Sequence, residues 1–263
     1  MTGPRDARVV PSYPDLAGKV AAVTGGSRGI GEATCRMLAA NGVRLGVNAR
    51  SAERLDAVVA ALRSEGADAV GHAGDCTRGA DMTAFRALVE RELGPVDILL
   101  AFAGGFESFT PIEQMSEQEW RAVMDANLTS VYLTIQAFLS GFVERRTGVI
   151  VTMASNGGRQ LDKLLTAPYA AAKAGVVQLT RHLALELGRY GIRVNCIAPA
   201  TVSSERVMTI MDDEALARTA AMSPLGRMGT PEDCALATLF LVSDSAAWLT
   251  GNTIDVAGGR VML

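Results

Sequence analysis

Residues 19–31 read Lys19-Val20-Ala21-Ala22-Val23-Thr24-Gly25-Gly26-Ser27-Arg28-Gly29-Ile30-Gly31. A short β-branched apolar run ends in a glycine cluster, and the pattern that follows, 29–39, is helical. Strand, glycine-rich turn and helix in succession place free N–H groups at a helix start, where an anion such as a pyrophosphate can approach bare backbone. The spacing is TGxxxGxG from Thr24, not GxGxxG. The same stretch also matches GxSxG, through Gly25, Ser27 and Gly29, which would make Ser27 a hydrolase nucleophile. A hydrolase needs a late histidine on a loop. The chain has His72, which precedes any downstream triad acid, and His182, which lies inside a helical run.

Working outward, strand-like runs fall near 19–24, 43–48, 68–74, 96–101, 148–154, 192–198 and 253–256. Helical patterns separate most of them. That alternation predicts an α/β fold, a doubly wound parallel seven-stranded sheet with helices on both faces and a ligand site beyond the strand C-termini. No Pro/Gly/Ser-rich linker interrupts the 263 residues, so 16–263 reads as one domain preceded by a flexible leader, 1–15. That leader lacks an apolar core and is not a signal peptide.

Tyr169 and Lys173 lie four apart in a helical stretch, hence on one helix face. An ammonium beside a phenol favours the phenolate, and a tyrosine tuned toward working pH can act as general acid or base.

Together these residues resemble the short-chain dehydrogenase/reductase family over about 16–260. The ordered set is Thr24-Gly25-x3-Gly29-Ile30-Gly31, Asp75, Ala103-Gly104, Asn127, Ser155, Tyr169-x3-Lys173 and Pro199. Within it the chain looks most like 3-oxoacyl-acyl-carrier-protein reductases and related ketoreductases. The resemblance implies that Tyr169 protonates a ketone oxygen as hydride arrives from a nicotinamide. Ser155 would hydrogen-bond that oxygen, Lys173 would hold the nicotinamide ribose, and Asn127 would position a relay water. It also implies that Asp75-Cys76 contact adenine and that Val202 and Ser204 contact the carboxamide.

Three positions depart from the pattern. Asn-Asn-Ala-Gly is here Ala101-Phe102-Ala103-Gly104, so the backbone those amides brace must be satisfied otherwise. Pro-Gly is Pro199-Ala200, which would be strained if that backbone needs a positive φ. Val-Asp-Gly-Gly is Val256-Ala257-Gly258-Gly259.

At the end of the second strand an acid would hold a ribose 2′-hydroxyl. Ala49 stands there, followed by Arg50, and Arg28 adds a second cation in the glycine loop. A guanidinium favours a 2′-phosphate, which predicts NADP(H) over NAD(H).

Net charge is −3 and no basic run appears, so nucleic acid is not indicated. Four separated cysteines without CxxC read as reduced thiols of a cytoplasmic protein, and no metal site is expected. The uncharged stretch 126–143 approaches a membrane span in length, but its Asn, Thr, Gln and Ser residues read as a buried helix. Helices near 117–143 and 167–189 look apolar around much of their circumference, which predicts a homo-oligomer, and of a homotetramer or homodimer the resemblance favours the tetramer. Residues 203–223 form a substrate lid, in which Met208, Met211 and Met222 are either apolar lid residues or core. Segments 105–109 and 157–161 would supply further walls of a pocket suited to an apolar ketone.

Overall fold

The structure, a computed structural model, describes residues 10–105, 109–161 and 165–262, apart from the Arg206 side chain. Seven strands form one parallel sheet in the order β3-β2-β1-β4-β5-β6-β7. They are β1 Val20–Thr24, β2 Arg44–Ala49, β3 Ala69–Ala73, β4 Ile98–Ala101, β5 Gly148–Met153, β6 Ile192–Pro199 and β7 Thr253–Val256. All seven lie where the apolar runs predict them. β1 and β4 are buried along their whole length, as a parallel sheet covered on both faces requires.

Side chains alternate between two cores. Ala21 and Val23 face one with α1 (Gly29–Ala40), α2 (Ala52–Ser64) and α9 (Pro231–Val242). Val20 and Ala22 face the other with α3 (Gly79–Leu93), α5 (Ser130–Arg145) and α6 (Ala167–Leu187). The strand order reverses between β1 and β4, so their C-terminal ends open a crevice.

The long apolar helix of 117–145 is not uniform. α4 (Glu117–Met124) runs into a π-helical turn, Asp125–Thr129, and then into α5. By length and composition this run could cross a membrane. Here its Asn127, Ser130, Thr134 and Phe138 are buried, and it packs on α3 and α6 as a core helix.

Residues 1–9 of the expected leader lie outside the described residues. Residues 11–15 are tied to the domain: Asn41 accepts from Tyr13 N at 2.7 Å and donates to Pro11 O at 3.1 Å, and Asp15 accepts from Asp244 N at 2.9 Å.

Candidate active site

The glycine loop sits at the crevice. Gly31 has to be glycine, because a Cβ there would lie 2.2 Å from the Gly25 carbonyl oxygen. Arg28 takes the N-cap position of α1 in extended conformation, and no side chain caps the helix. Its first-turn N–H groups therefore face the crevice, a cradle suited to an anion. Ser27 is partly exposed and Ile30 lies in the first turn. Gly29 faces Ser204, whose Cβ would be 3.7 Å from a Cβ on Gly29. The crevice thus runs between the glycine loop and the segment after β6, where Val202 bridges to Gly229 and Ser204 caps α7 (Glu205–Ile210).

Thr24 satisfies the backbone at the end of β4. Its hydroxyl donates to Leu100 O at 3.3 Å and accepts from Phe102 N at 3.1 Å and Ala103 N at 3.3 Å. The end of β4 is satisfied without Asn. Ala200 avoids the feared strain: among the described residues Arg146 is the non-glycine residue with positive φ, and Ala200 N donates to Val256 O at 3.1 Å.

At the end of β3, Asp75 accepts from Thr77 N and Thr77 Oγ1, at 2.9 and 2.8 Å. Those bonds, with help from Arg50 and Arg78, hold its carboxyl below the usual range. The exposed Arg50 is therefore close to Asp75 at the adenosine end. Cys76 is buried, and burial pushes its thiol up to about 12.

The other end of the crevice gathers the four candidate catalytic residues. Asn127 is 1% exposed inside the π turn. Its Oδ1 accepts from Gly105 N at 2.9 Å, and its Nδ2 donates to Gly105 O and Val123 O, both at 3.0 Å. Lys173 is 3% exposed, with Nζ donating to Met153 O at 2.9 Å and lying 5.7 Å from the centre of the Tyr169 ring. Desolvation pulls its ammonium down to about 8. A Cβ on Gly104 would come 2.8 Å from Asn127 Oδ1 and 3.3 Å from Lys173 Nζ, so β4, the π turn and α6 converge there. Ser155 caps a 3-10 turn, Asn156–Gly158, and its Oγ accepts from Gly157 N at 3.3 Å. That turn presses on α6 so closely that a Cβ on Gly158 would lie 2.5 Å from the Lys173 carbonyl carbon.

This arrangement leaves the esterase alternative without a base. His72 is held by Asn48 at 3.1 Å, and His182 is exposed on α6.

The family model described as enoyl-(acyl carrier protein) reductase matches residues 25–260. The chain belongs to the short-chain dehydrogenase/reductase family. Among curated relatives it is 36% identical to the 3-oxoacyl-[acyl-carrier-protein] reductase FabG of Vibrio cholerae, over 95% of this chain and 100% of that one. It is 34% identical to the 2,3-dihydro-2,3-dihydroxybenzoate dehydrogenase of Bacillus subtilis, over 94% and 97%. A crystal structure of a 3-oxoacyl-[acyl-carrier protein] reductase with bound NAD from Brucella melitensis superposes with a TM-score of 0.87. Identity there is 30%, over 95% of this chain and 94% of that one. The short-chain dehydrogenase/reductase assignment makes this an oxidoreductase with a nicotinamide cofactor, and the capless α1 and its glycine cradle suit the pyrophosphate of such a group.

Two further residues at the site belong to none of these motifs. Arg159 and Asp255 form a largely buried ion pair joining the Ser155 turn to β7. A lone acid in Thr253-Ile254-Asp255-Val256 is the signal that could have found it, since a largely buried acid needs a partner. Segments 106–108 and 162–164, part of or adjoining the expected pocket walls, lie outside the described residues. In the expected lid, α7 and α8 (Asp213–Ala221) carry Met208 at 51% and adjoin Met222 at 46% exposure, so these two are not core.

Proposed function

We propose that this chain is an NADPH-dependent ketoreductase that converts an apolar ketone, such as a 3-oxoacyl group, to a secondary alcohol. NADPH, when bound in this crevice, would supply the hydride that the carbonyl carbon takes up. Tyr169 gives its hydroxyl proton to the ketone oxygen, Ser155 hydrogen-bonds the same oxygen, and Lys173 orients the ribose and stabilises the phenolate until a proton returns to it. Asn127 holds the Gly105 backbone and orders water for proton return.

The observation that carries this reading is the cluster at Lys173. A buried ammonium is fixed on Met153 O beside the Tyr169 ring and under Gly104. Burying an ammonium costs several kcal/mol, which is hard to reconcile with a purely structural role. Arg50 following Ala49, with Arg28 in the loop and no acid at the strand end, supports NADP(H). The half-exposed methionines beside the crevice support an apolar substrate.

The exposed Tyr132 on α5 and Leu185 on α6, at 50% and 81%, support a homotetramer or homodimer through these helices, which sedimentation would test. The buried free thiols support a cytoplasmic location.

The deciding experiment is NADPH oxidation over a panel of β-ketoesters, acyl thioesters, diketones and quinones, wild type beside Tyr169→Phe. Turnover that falls about 10²–10⁴-fold in the variant, with cofactor binding retained, is the expected result. Tight NADPH binding without turnover of any carbonyl would sink the reductase reading and favour a dinucleotide-binding regulator.

A further inference from the structure

Beneath the adenosine end of the crevice lies a buried polar chain that the catalytic reading does not use. Asn48, fully buried on β2, is its hub. Its Nδ2 donates to His72 O at 3.1 Å and Gly74 O at 3.4 Å, and it meets His72 Nδ1 at 3.1 Å. Its Oδ1 accepts the Cys76 thiol proton at 3.1 Å. Its backbone carbonyl accepts from Gly26 N of the glycine loop at 3.1 Å. One residue therefore ties together the glycine loop, through its backbone, and the β3 end and the Asp75-Cys76 step, through its side chain.

The amide orientation is fixed by these partners. Two carbonyls demand the NH₂ group, and the thiol, which burial keeps protonated, demands the oxygen. His72 Nδ1 faces that NH₂ group, so a proton on Nδ1 would set donor against donor, and the geometry favours the tautomer with its proton on Nε2. Gly74 is pressed flat on that ring, since a Cβ there would lie 2.5 Å from His72 Cε1.

We propose that neutral His72 is a positioning residue for the adenosine half of the cofactor site, acting through Asn48 and Cys76, so that dinucleotide binding is weakened when His72 gains a proton. The inference rests on the dinucleotide reading of the crevice given under Proposed function. A second proton would set Nδ1–H against Asn48 N–H, two donors with no acceptor. Turning the amide to relieve this would point its oxygen at the carbonyls of His72 and Gly74 and its NH₂ at the thiol proton. Either outcome loosens the loop that carries Asp75 and Cys76.

The groups facing the ring are few. Phe85 of α3 stacks on it at 5.6 Å, Asn48 comes from β2, and α2 packs Leu55 and Val59 on the neighbouring Gly71. Asp81 of α3 is the charged group whose field reaches it and favours protonation. Burial outweighs that field and holds the imidazole below its ordinary value.

The test is calorimetric titration of NAD+ and NADP+ into wild type and His72→Gln between about pH 8 and about pH 5.5, the range of an imidazole. NAD+ lacks a 2′-phosphate, so that group's own titration does not enter. We expect wild-type affinity for NAD+ to fall about threefold more than that of the variant across the range, the effect at about pH 5.5 of lowering an imidazole pKa of about 6 by one unit. In parallel, the imidazole resonances of wild type, with two histidines in the chain, should show the His72 pKa lowered by saturating NAD+. Should His72→Gln not fold, the wild-type titration decides alone. Parallel pH profiles in the two proteins, or a His72 pKa unmoved by NAD+, would overturn the proposal. Absence of binding by either dinucleotide at about pH 8 would instead overturn the reading of the crevice itself, and this inference with it.

Discussion

Arg159 and Asp255, 96 residues apart, meet as a two-pronged ion pair, Nε to Oδ1 at 3.0 Å and Nη2 to Oδ2 at 2.9 Å. Their side chains are 13% and 16% exposed. The pair fastens the turn that begins at Ser155 to the last strand of the sheet. Gln160 adds a bond to Arg260 O at 3.2 Å.

Cutting one prong of this pair leaves a largely buried charge. Asp255→Ala is expected to destabilise the protein by about 3 kcal/mol. Adding Arg159→Ala should return part of that loss, because the stranded guanidinium is then gone. Chemical denaturation of the two single variants and the double variant reads the coupling. Additive losses would show that the pair carries no interaction energy.

Thr24→Val keeps shape and removes the oxygen that serves Leu100, Phe102 and Ala103. Two backbone donors at the end of β4 lose their acceptor, at a cost of about 1–3 kcal/mol. The denaturation midpoint should fall with an unchanged slope, and Thr24→Ser should restore it.

Lys173 gives two pH effects of opposite sign. Its folded pKa, about 8, lies below its unfolded value of 10.5. Between these values the unfolded chain binds the extra proton, so stability rises with pH relative to Lys173→Met. Cofactor affinity should fall through the same window, as the ammonium that would hold the ribose is lost. Binding there should take up a proton, visible as a buffer-dependent enthalpy. A Lys173→Met protein with the same two profiles would refute the assignment.

Arg50→Asp puts a carboxylate where the 2′-phosphate is expected. The ratio of kcat/KM for NADPH over NADH should fall by about tenfold or more, the cost of one lost charge-assisted contact. An unchanged ratio would mean that Arg50 does not read the phosphate.

The strands were legible because a parallel sheet buried on both faces writes itself as short β-branched runs, and 20–24 and 98–101 are apolar almost throughout. Asn127, Ser155, Tyr169 and Lys173 stood out by order and spacing, and the fold brings them to one end of the crevice. Harder to see were relationships set by the third dimension. Nothing local says that Thr24 closes the end of β4, 76 to 79 residues away, or that Asn48 reaches Cys76 at a separation of 28. The π turn at Asp125–Thr129 was equally hidden, since its residues have ordinary helical character.

That turn has a consequence for how the gene can change length. A π turn holds one residue more than an α turn, closed here by Ser130 N donating to Asp125 O. Deleting a residue within 125–129 would let the helix regain regular bonding. It would also rotate everything before it by about 100° relative to everything after it. Asn127 could no longer span Gly105 and Val123, and α4 would present a different face to α6. This helix is counted to the residue.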